Sequence, residues 1–389
     1  MAWENSKVEH QRLQLITAYM KKEASMTDLC RRFGVSRKTG YKWYEVFLKE
    51  GKNGLKDMSR APHVPHTVYN SDLIDIAIDL KLKRRSWGPK KILVKLYELY
   101  PRVKWPSPTR LYDIFKELNL VTSRKLRHRV PQTSPLGDLE GCNDTWSVDF
   151  KGWFLTGDGN RCEPLTVADC HSRFLIKCIH LDKHSVDYVW PVFEEAFFEY
   201  GLPHRVRSDN GPPFGSVGAG RLTGLSVKLI KAGVIPEWIE PGHPEQNGRH
   251  ERFHLTLKQD IANPPKESLA LQLKAMTQFQ EEYNYDRPHE ALGMKTPASC
   301  YSKSPRTWNG QLKSPEYNMS IEVRKVCQSG CLWLKGKEYY IGKTLEGEYV
   351  GLKSNELDEL EVYYGPVYLG KLDLNTGLQK PQRKTRKRR

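Results

Sequence analysis

Residues 145–157 read TWSVDFKGWFLTG, and their alternation decides what fold the middle of the chain can adopt. Trp146, Val148 and Phe150 fall on one face of a strand and Ser147, Asp149 and Lys151 on the other. The next stretch, CEPLTVADCHSRFLIKCIHL (162–181), reads as two strands joined by a short turn, which predicts an antiparallel meander. VDYVWPVFEEAFFEYGLP (186–203) predicts a helix stopped at Gly201, and HRVRSDNG (204–211) a short strand ending at Asp209. RLTGLSVKLIKAGV (221–234) predicts a helix, VIPEWIEP (234–241) a strand, and HPEQNGRHERFHLTLKQDIA (243–262) a helix opening after Asn247 and Gly248. This order places a mixed sheet between helices.

Within that frame RSDNGPPF (207–214) has two readings. Asp-Asn-Gly is good turn chemistry by itself; Asp209 becomes a ligand only if other carboxylates converge on it. W-x-x-D-F (146–150), S-D-N-G-x-x-F (208–214) and H-P-x-x-N-G-x-x-E-R-F-H-x-T-L-K (243–258) follow in order. Together they resemble the integrase core of insertion-sequence transposases and retroviral integrases, the DDE superfamily, over residues 140–305. The element order is that of an RNase H-like α/β domain. The trailing YNYDRPHEALGMKTPASCY (283–301) is similar to bacterial transposases of this type.

The resemblance implies Asp149, Asp209 and Glu251 as the catalytic, metal-holding triad. Two carboxylates at the ends of neighbouring strands and one on a helix laid across them can hold two divalent ions. Magnesium, or manganese, suits such sparse oxygen sites. From Asp209 to Glu245 there are 35 intervening residues, the interval usual in the superfamily, and to Glu251 there are 41. Glu251 is preferred because it follows Gly248 by three, as the family glutamate does; GSVGAGRLTGL (215–225) accounts for the excess. Asn210 and Gly211 are expected to shape the loop holding Asp209, and Asn247 and Gly248 the start of the last helix. Asp169 caps a turn or takes part in catalysis, and His243 packs its loop or touches DNA. Lys258, two turns beyond Glu251 on the same face, meets a DNA phosphate or solvent. Asp144 and Asp158 read as turn residues.

Charge is concentrated at the two ends of the 389-residue chain, whose formal net charge is +16. Residues 1–139 carry 28 Lys/Arg against 14 Asp/Glu, and the last ten carry seven Lys/Arg and no acid, while 140–379 is slightly acidic. Such a field favours a polyanion, because neutralised phosphates release counterions. Residues 8–22 show helical spacing, Ser25 and Asp28 form a capping signal, and GVS (34–36) supplies a three-residue turn before RKTGYKWYEVFLKE (37–50). That is a helix-turn-helix pattern whose second helix offers Arg37, Lys38 and Lys42 to double-stranded DNA. Gly40 fits that helix poorly, at about 1 kcal/mol. A second set of helices is expected near 72–85, 88–99 and 107–119, with Lys90 and Lys91 as DNA contacts and Lys81, Lys83, Arg84 and Arg85 in the same basic neighbourhood.

Eight scattered cysteines show no disulfide framework, and no signal peptide or membrane span is evident, which suggests a reducing, cytoplasmic, nucleoid-associated protein. Cys327 and Cys331 read as strand-packing thiols rather than zinc ligands. From residue 315 short alternating segments predict a small all-β barrel, followed by the basic tail KPQRKTRKRR (380–389). The expected organisation is multidomain. Two all-α helix-turn-helix domains (1–58 and 71–122) follow one another across a linker (59–70). A basic linker (123–139) leads to the α/β RNase H-like core (140–305), then come the β-barrel (315–374) and the tail (375–389). The function expected is a DNA transposase that binds the terminal repeats of its element, cuts with metal-activated water and joins 3′-OH ends to target DNA as a homodimer or larger assembly. The alternatives are a catalytically silent DNA-binding regulator and a nuclease that only hydrolyses.

Overall fold

The structure is a computed structural model that describes residues 8–57, 69–121, 140–354 and 359–381. The expected linker at 123–139, most of that at 59–70, and the tail beyond 381 lie outside them. The chain divides at residue 70 into two compact units.

In the first unit, α1 (Val8–Met20), α2 (Met26–Arg32) and α3 (Arg37–Glu50) surround Leu15, Ile16, Met26, Cys30 and Leu55. Ser25 Oγ accepts the Asp28 N–H at 3.2 Å, as its capping signal predicts, and Ser36 Oγ the Thr39 N–H at 3.1 Å, so each helix of the helix-turn-helix starts on a serine cap. Gly40 is explained by packing. A Cβ there would lie 2.4 Å from Cys30 Sγ and 2.9 Å from Met26 Sδ, so glycine is what lets α3 cross α2 this closely.

The second unit opens with α4 (Ser71–Lys83), α5 (Pro89–Leu99) and α6 (Pro108–Glu117), packed around Trp87, Ile92, Leu96, Trp105, Leu111 and Phe115. Lys81 does not belong to the exposed basic group expected here. It is buried, and its Nζ donates to the carbonyls of Arg85 and Trp87 at 2.5 and 2.9 Å, closing the α4–α5 turn. Arg84 pairs with Glu282 and Asp286, Lys95 with Asp286 at 2.5 Å, and Arg287 Nη1 donates to Ser86 Oγ at 3.1 Å. The helical module is thereby clamped to the α/β core.

That core follows the predicted order: β1 (Thr145–Phe150), β2 (Pro164–Asp169), β3 (Leu175–His180), α7 (Val186–Tyr200), β4 (Arg205–Ser208), α8 (Gly224–Lys231), β5 (Ile235–Trp238) and α9 (Gly248–Leu257), with a further helix, α10 (Leu269–Glu281), beyond it. The sheet runs β3-β2-β1-β4-β5, antiparallel across β3, β2 and β1 and parallel across β1, β4 and β5. α7 and α8 cover one face, with Trp146, Val148, Val167 and Ile176 against Val189, Phe193, Phe197 and Leu229. α9 and α10 cover the other, where Leu175 and Cys178 meet Phe253, Leu257, Met276 and Phe279. β1 is central, so Ser147 is buried as well as Trp146 and Val148, and its polar face is an internal one.

The C-terminal region is all-β. A five-stranded antiparallel sheet comprises β6 (Glu322–Lys325), β9 (Tyr349–Ser354), β10 (Leu360–Tyr364), β11 (Val367–Asp373) and β12 (Gly377–Gln379). A hairpin of β7 (Cys331–Leu334) and β8 (Lys337–Tyr340) completes it. Its core is continuous with the α/β domain, since Ala219, Leu222, Val227 and Ile230 share one cluster with Val350, Val362 and Leu369. Gly220, at φ +59, comes so near β11 that a Cβ would meet Leu369 Cδ2 at 2.6 Å. The glycine-rich stretch that lengthens the Asp209–Glu251 interval is thus the surface on which the β region sits. Among the described residues no helix is long and apolar enough to cross a membrane.

Candidate active site

Parallel pairing of β1 with β4 matches Ser147 to Arg207. Carried two residues on, that register sets Asp149 beside Asp209 on the same face, because side chains repeat every second position. Asp209 is held by the turn after β4. Its Oδ1 accepts the Gly211 N–H at 3.1 Å, and a Cβ on Gly211 would come within 3.2 Å of Oδ2. Asn210 Nδ2 donates to Ile239 O and its Oδ1 accepts from Arg221, each at 2.8 Å, fastening the turn to the end of β5.

Glu251 comes from the first turn of α9 and is exposed. What lays α9 across the sheet is a pair of histidines one turn apart. Thr166, opposite Asp149 in the β1–β2 register, donates its hydroxyl to Asp149 O at 3.0 Å. With its single proton so used, Thr166 Oγ1 accepts from His250 Nε2 at 2.7 Å and His254 Nε2 at 2.8 Å, and His250 Nδ1 lies 2.7 Å from Ser147 Oγ. Both imidazoles are neutral in this arrangement. Burial pushes His250 down to about 3, and burial, then the neighbouring His250 and Lys151, push His254 down to about 2. These two histidines were missed in the sequence, where only their i, i+4 spacing on one helix face could have signalled them.

Electrostatics tie the three acids together. The Asp149 carboxyl is pushed up to about 7, first by burial and then by the negative charge of Asp209, with Glu251 contributing in the same direction. Among the described residues no three His, Cys, Asp or Glu side chains are gathered tightly enough to hold a metal ion. The carboxylates thus share a field without sharing a ligand point. Their all-oxygen chemistry and uncompensated charge still fit a hard divalent cation. Lys151, whose pKa is lowered by burial and then by Lys258, brings positive charge to the same edge.

The remaining candidates separate clearly. Asp169 is a structural cap: it is buried and accepts from Asn143 N, Ser172 N and Ser172 Oγ at 2.8, 2.7 and 2.6 Å. His243 Nδ1 lies 2.7 Å from Glu245 Oε1, which turns Glu245 toward its own loop. Asn247 occupies the N-cap of α9 without a side-chain capping bond, and Gly248 is helical with open space where a Cβ would stand. Asp144 accepts from Thr145 Oγ1, and Asp158 accepts from Thr156 Oγ1 and the Leu269 N–H, fixing the start of α10. Arg37, Lys38, Lys42, Lys90 and Lys258 are exposed. Lys91 is half-buried and pushed down to about 8, chiefly by burial and then by Arg287.

Residues 232–297 match the family described as "Integrase core domain", residues 11–63 "Helix-turn-helix domain", and residues 321–380 "IS481 family transposase, C-terminal domain". Over 222 residues the chain is 29% identical to the "Insertion element IS476 uncharacterized 39.2 kDa protein" of Xanthomonas euvesicatoria, covering 57% of this chain and 62% of that one. It is 26% identical over 231 residues to the "Insertion element IS407 uncharacterized 31.7 kDa protein" of Burkholderia multivorans, covering 58% and 79%. The match therefore spans less than two thirds of the IS476 protein. Solved structures similar to the chain include the catalytic core domain of BIV integrase (19% identity, 41% of this chain and 93% of that one, TM-score 0.32). Another is the HTLV-2 integrase catalytic core domain in complex with magnesium (17% identity, 42% and 98%, TM-score 0.31).

Proposed function

We propose that this chain, a protein of the transposase and integrase family with a helix-turn-helix DNA-binding domain, is an active DNA transposase. It binds the terminal repeats of a mobile element, cleaves at those ends and joins the freed 3′-OH groups to target DNA. What supports the reading is the electrostatic coupling of three acids carried on β1, after β4 and on α9: the Asp149 carboxyl is raised first by burial and then by the charge of Asp209, with Glu251 acting in the same direction.

Asp149, Asp209 and Glu251 would hold magnesium or manganese, two ions per site in this reading. When bound, these ions activate the attacking oxygen and stabilise the leaving one. The chain's own groups do the rest. α3 offers Arg37, Lys38 and Lys42 to a DNA groove, Lys90 and Lys91 supply a second contact, and Lys258 with Lys151 meets the phosphates beside the acids. Thr166, His250 and His254 keep Glu251 facing the strand ends. Joining two ends needs two such sites, hence a dimer or larger assembly on DNA. The domain limits given above, and a cytoplasmic, nucleoid-associated location, belong to the same proposal.

The test is cleavage and joining of DNA carrying candidate ends, with magnesium or manganese. Asp149→Asn, Asp209→Asn and Glu251→Gln should keep end binding and lose cleavage and joining by a factor on the order of a thousand. A variant that joins ends at the wild-type rate refutes the site. Wild-type protein that binds ends without cutting them supports the silent regulator instead.

A further inference from the structure

Where the turn between α4 and α5 meets the loop between α9 and α10, the structure leaves a cleft of about 380 Å³. Its walls come from two parts of the chain. Lys83, Arg85 and Ser86 line it from the helical module, and Gln259, Asn263 and Lys266 from the α/β core. Two acids also reach it, and both are taken: Glu282 by Arg84, and Asp260 by Arg287 at 2.9 Å. Among the described residues Lys83, Arg85 and Lys266 make no ion pair, so the cleft keeps three cations without an anion.

These cations are mounted on fixed backbone. The Arg85 carbonyl accepts from the buried Lys81 Nζ at 2.5 Å, and the next residue, Ser86, accepts from Arg287 at 3.1 Å. On the other wall the Lys266 N–H donates to Gln272 Oε1 and its carbonyl accepts the Gly157 N–H, each at 2.9 Å. Like charges held around one gap repel, and an anion seated among them turns that repulsion into attraction. Phosphate suits the set, because a guanidinium offers it paired donors, ammonium groups offer point charges, and the Gln259 and Asn263 amides add uncharged donors.

The place of the cleft in the fold says which phosphate. Gln259 lies eight residues beyond Glu251 on the helix that continues α9 through Lys258–Ala262. That is about 12 Å at the helical rise, or roughly three to four base pairs of duplex. The opposite wall is the end of α4 and the turn into α5, part of the module that carries Lys90 and Lys91.

We propose that this cleft is a phosphate seat, in which Lys83 and Arg85 from the helical module and Lys266 from the core hold one backbone phosphate of the DNA strand leading to the acids. The inference rests on the reading of the chain as a protein that binds and cuts DNA ends. It adds a contact shared between the two parts and placed a few nucleotides from the cut.

Binding by Asp149→Asn protein tests it, since that readout needs no cleavage. Each end carries one uncharged methylphosphonate linkage, moved a position at a time through the nucleotides beside the cut. At one linkage, or two neighbouring ones, protein with the intact cleft should lose affinity roughly 10-fold, and Lys266→Gln protein should lose nothing further there. Lys83→Gln and Lys266→Gln together should cost less than the product of their separate effects, because they share the phosphate. Adding Arg85→Gln should flatten the dependence of log affinity on log salt by about one. All three side chains are exposed, so the variants should keep the wild-type Tm.

Independent losses at every linkage, or an unchanged salt slope, overturn the seat. Inorganic phosphate that raises the Tm of wild type but not of Lys266→Gln, with no sensitive linkage in the DNA, assigns the cleft to a free anion and overturns it as well. A sensitive linkage in a protein that never cuts, even with Asp149 intact, refutes the transposase reading alone. Loss of all DNA binding removes both.

Discussion

Thr166 stands directly across from Asp149 in the β1–β2 register, and its one hydroxyl serves the Asp149 carbonyl, the buried His250 and the largely covered His254 of α9. Thr166→Val keeps the shape and removes the acceptor, leaving the His250 N–H unsatisfied at roughly 1–3 kcal/mol and the partly exposed His254 N–H at about 1 kcal/mol. A loss of about 2–4 kcal/mol in urea unfolding is expected, with cleavage falling although all three acids remain. Thr166→Ser should stay near wild type; equal behaviour of Val and Ser would remove this hinge from the account.

Asp149 predicts a stabilising active-site substitution. With its carboxyl raised to about 7 in the fold, and near 3.8 when unfolded, the native chain holds a proton that the unfolded chain has lost. Between those values Asp149 subtracts stability as pH rises. Asp149→Asn should therefore raise Tm at pH 7.5 without divalent ions, by an amount corresponding to on the order of 1–3 kcal/mol. It should also abolish the further rise that magnesium gives the wild type.

The histidines act with the opposite sign. His250 and His254 are held neutral, their pKa values lowered to about 3 and about 2, so the unfolded chain takes up protons first as pH falls through 6.5. Stability is lost progressively from about pH 6.5 toward 3. Each histidine contributes a slope of up to about 1.4 kcal/mol per pH unit. Replacing His254 with Gln should flatten the acid limb of denaturation curves; an unchanged limb would mean that the imidazole is not buried neutral.

Gly40 offers a test confined to the first unit. Gly40→Ala forces a Cβ into Cys30 Sγ and Met26 Sδ, an overpacking cost of about 1–3 kcal/mol. End binding should weaken with it, and recover in part when Cys30→Ala opens space. Binding unaffected by Gly40→Ala would detach DNA affinity from the α2–α3 crossing.

Periodicity and caps made the element order legible because they are local. Alternation in TWSVDF, the capping pair Ser25 and Asp28, and Gly201 each announce a boundary by backbone chemistry alone, and each stands where expected. The acids were legible as a pattern, and the structure places them on the elements expected of them. What escaped was set by which face of an element meets another. Lys81 resembles its exposed basic neighbours until the α4–α5 turn folds over it. His250 and His254 look like polar residues of an exposed helix until β2 supplies Thr166. Gly40 looks unfavourable until α2 is laid against it, and the glycine-rich loop looks idle until the β region sits on it.

Arg84 and Lys95, bound to Glu282 and Asp286, do more than join two pieces of chain. If the α4–α6 module grips DNA as proposed, those ion pairs turn the second unit into a ruler, with one end on the gripped base pairs and the other on the scissile bond. The offset of the cut from the recognised sequence would then be a fixed count of nucleotides. Loosening the clamp with Asp286→Asn should scatter that count before it weakens binding.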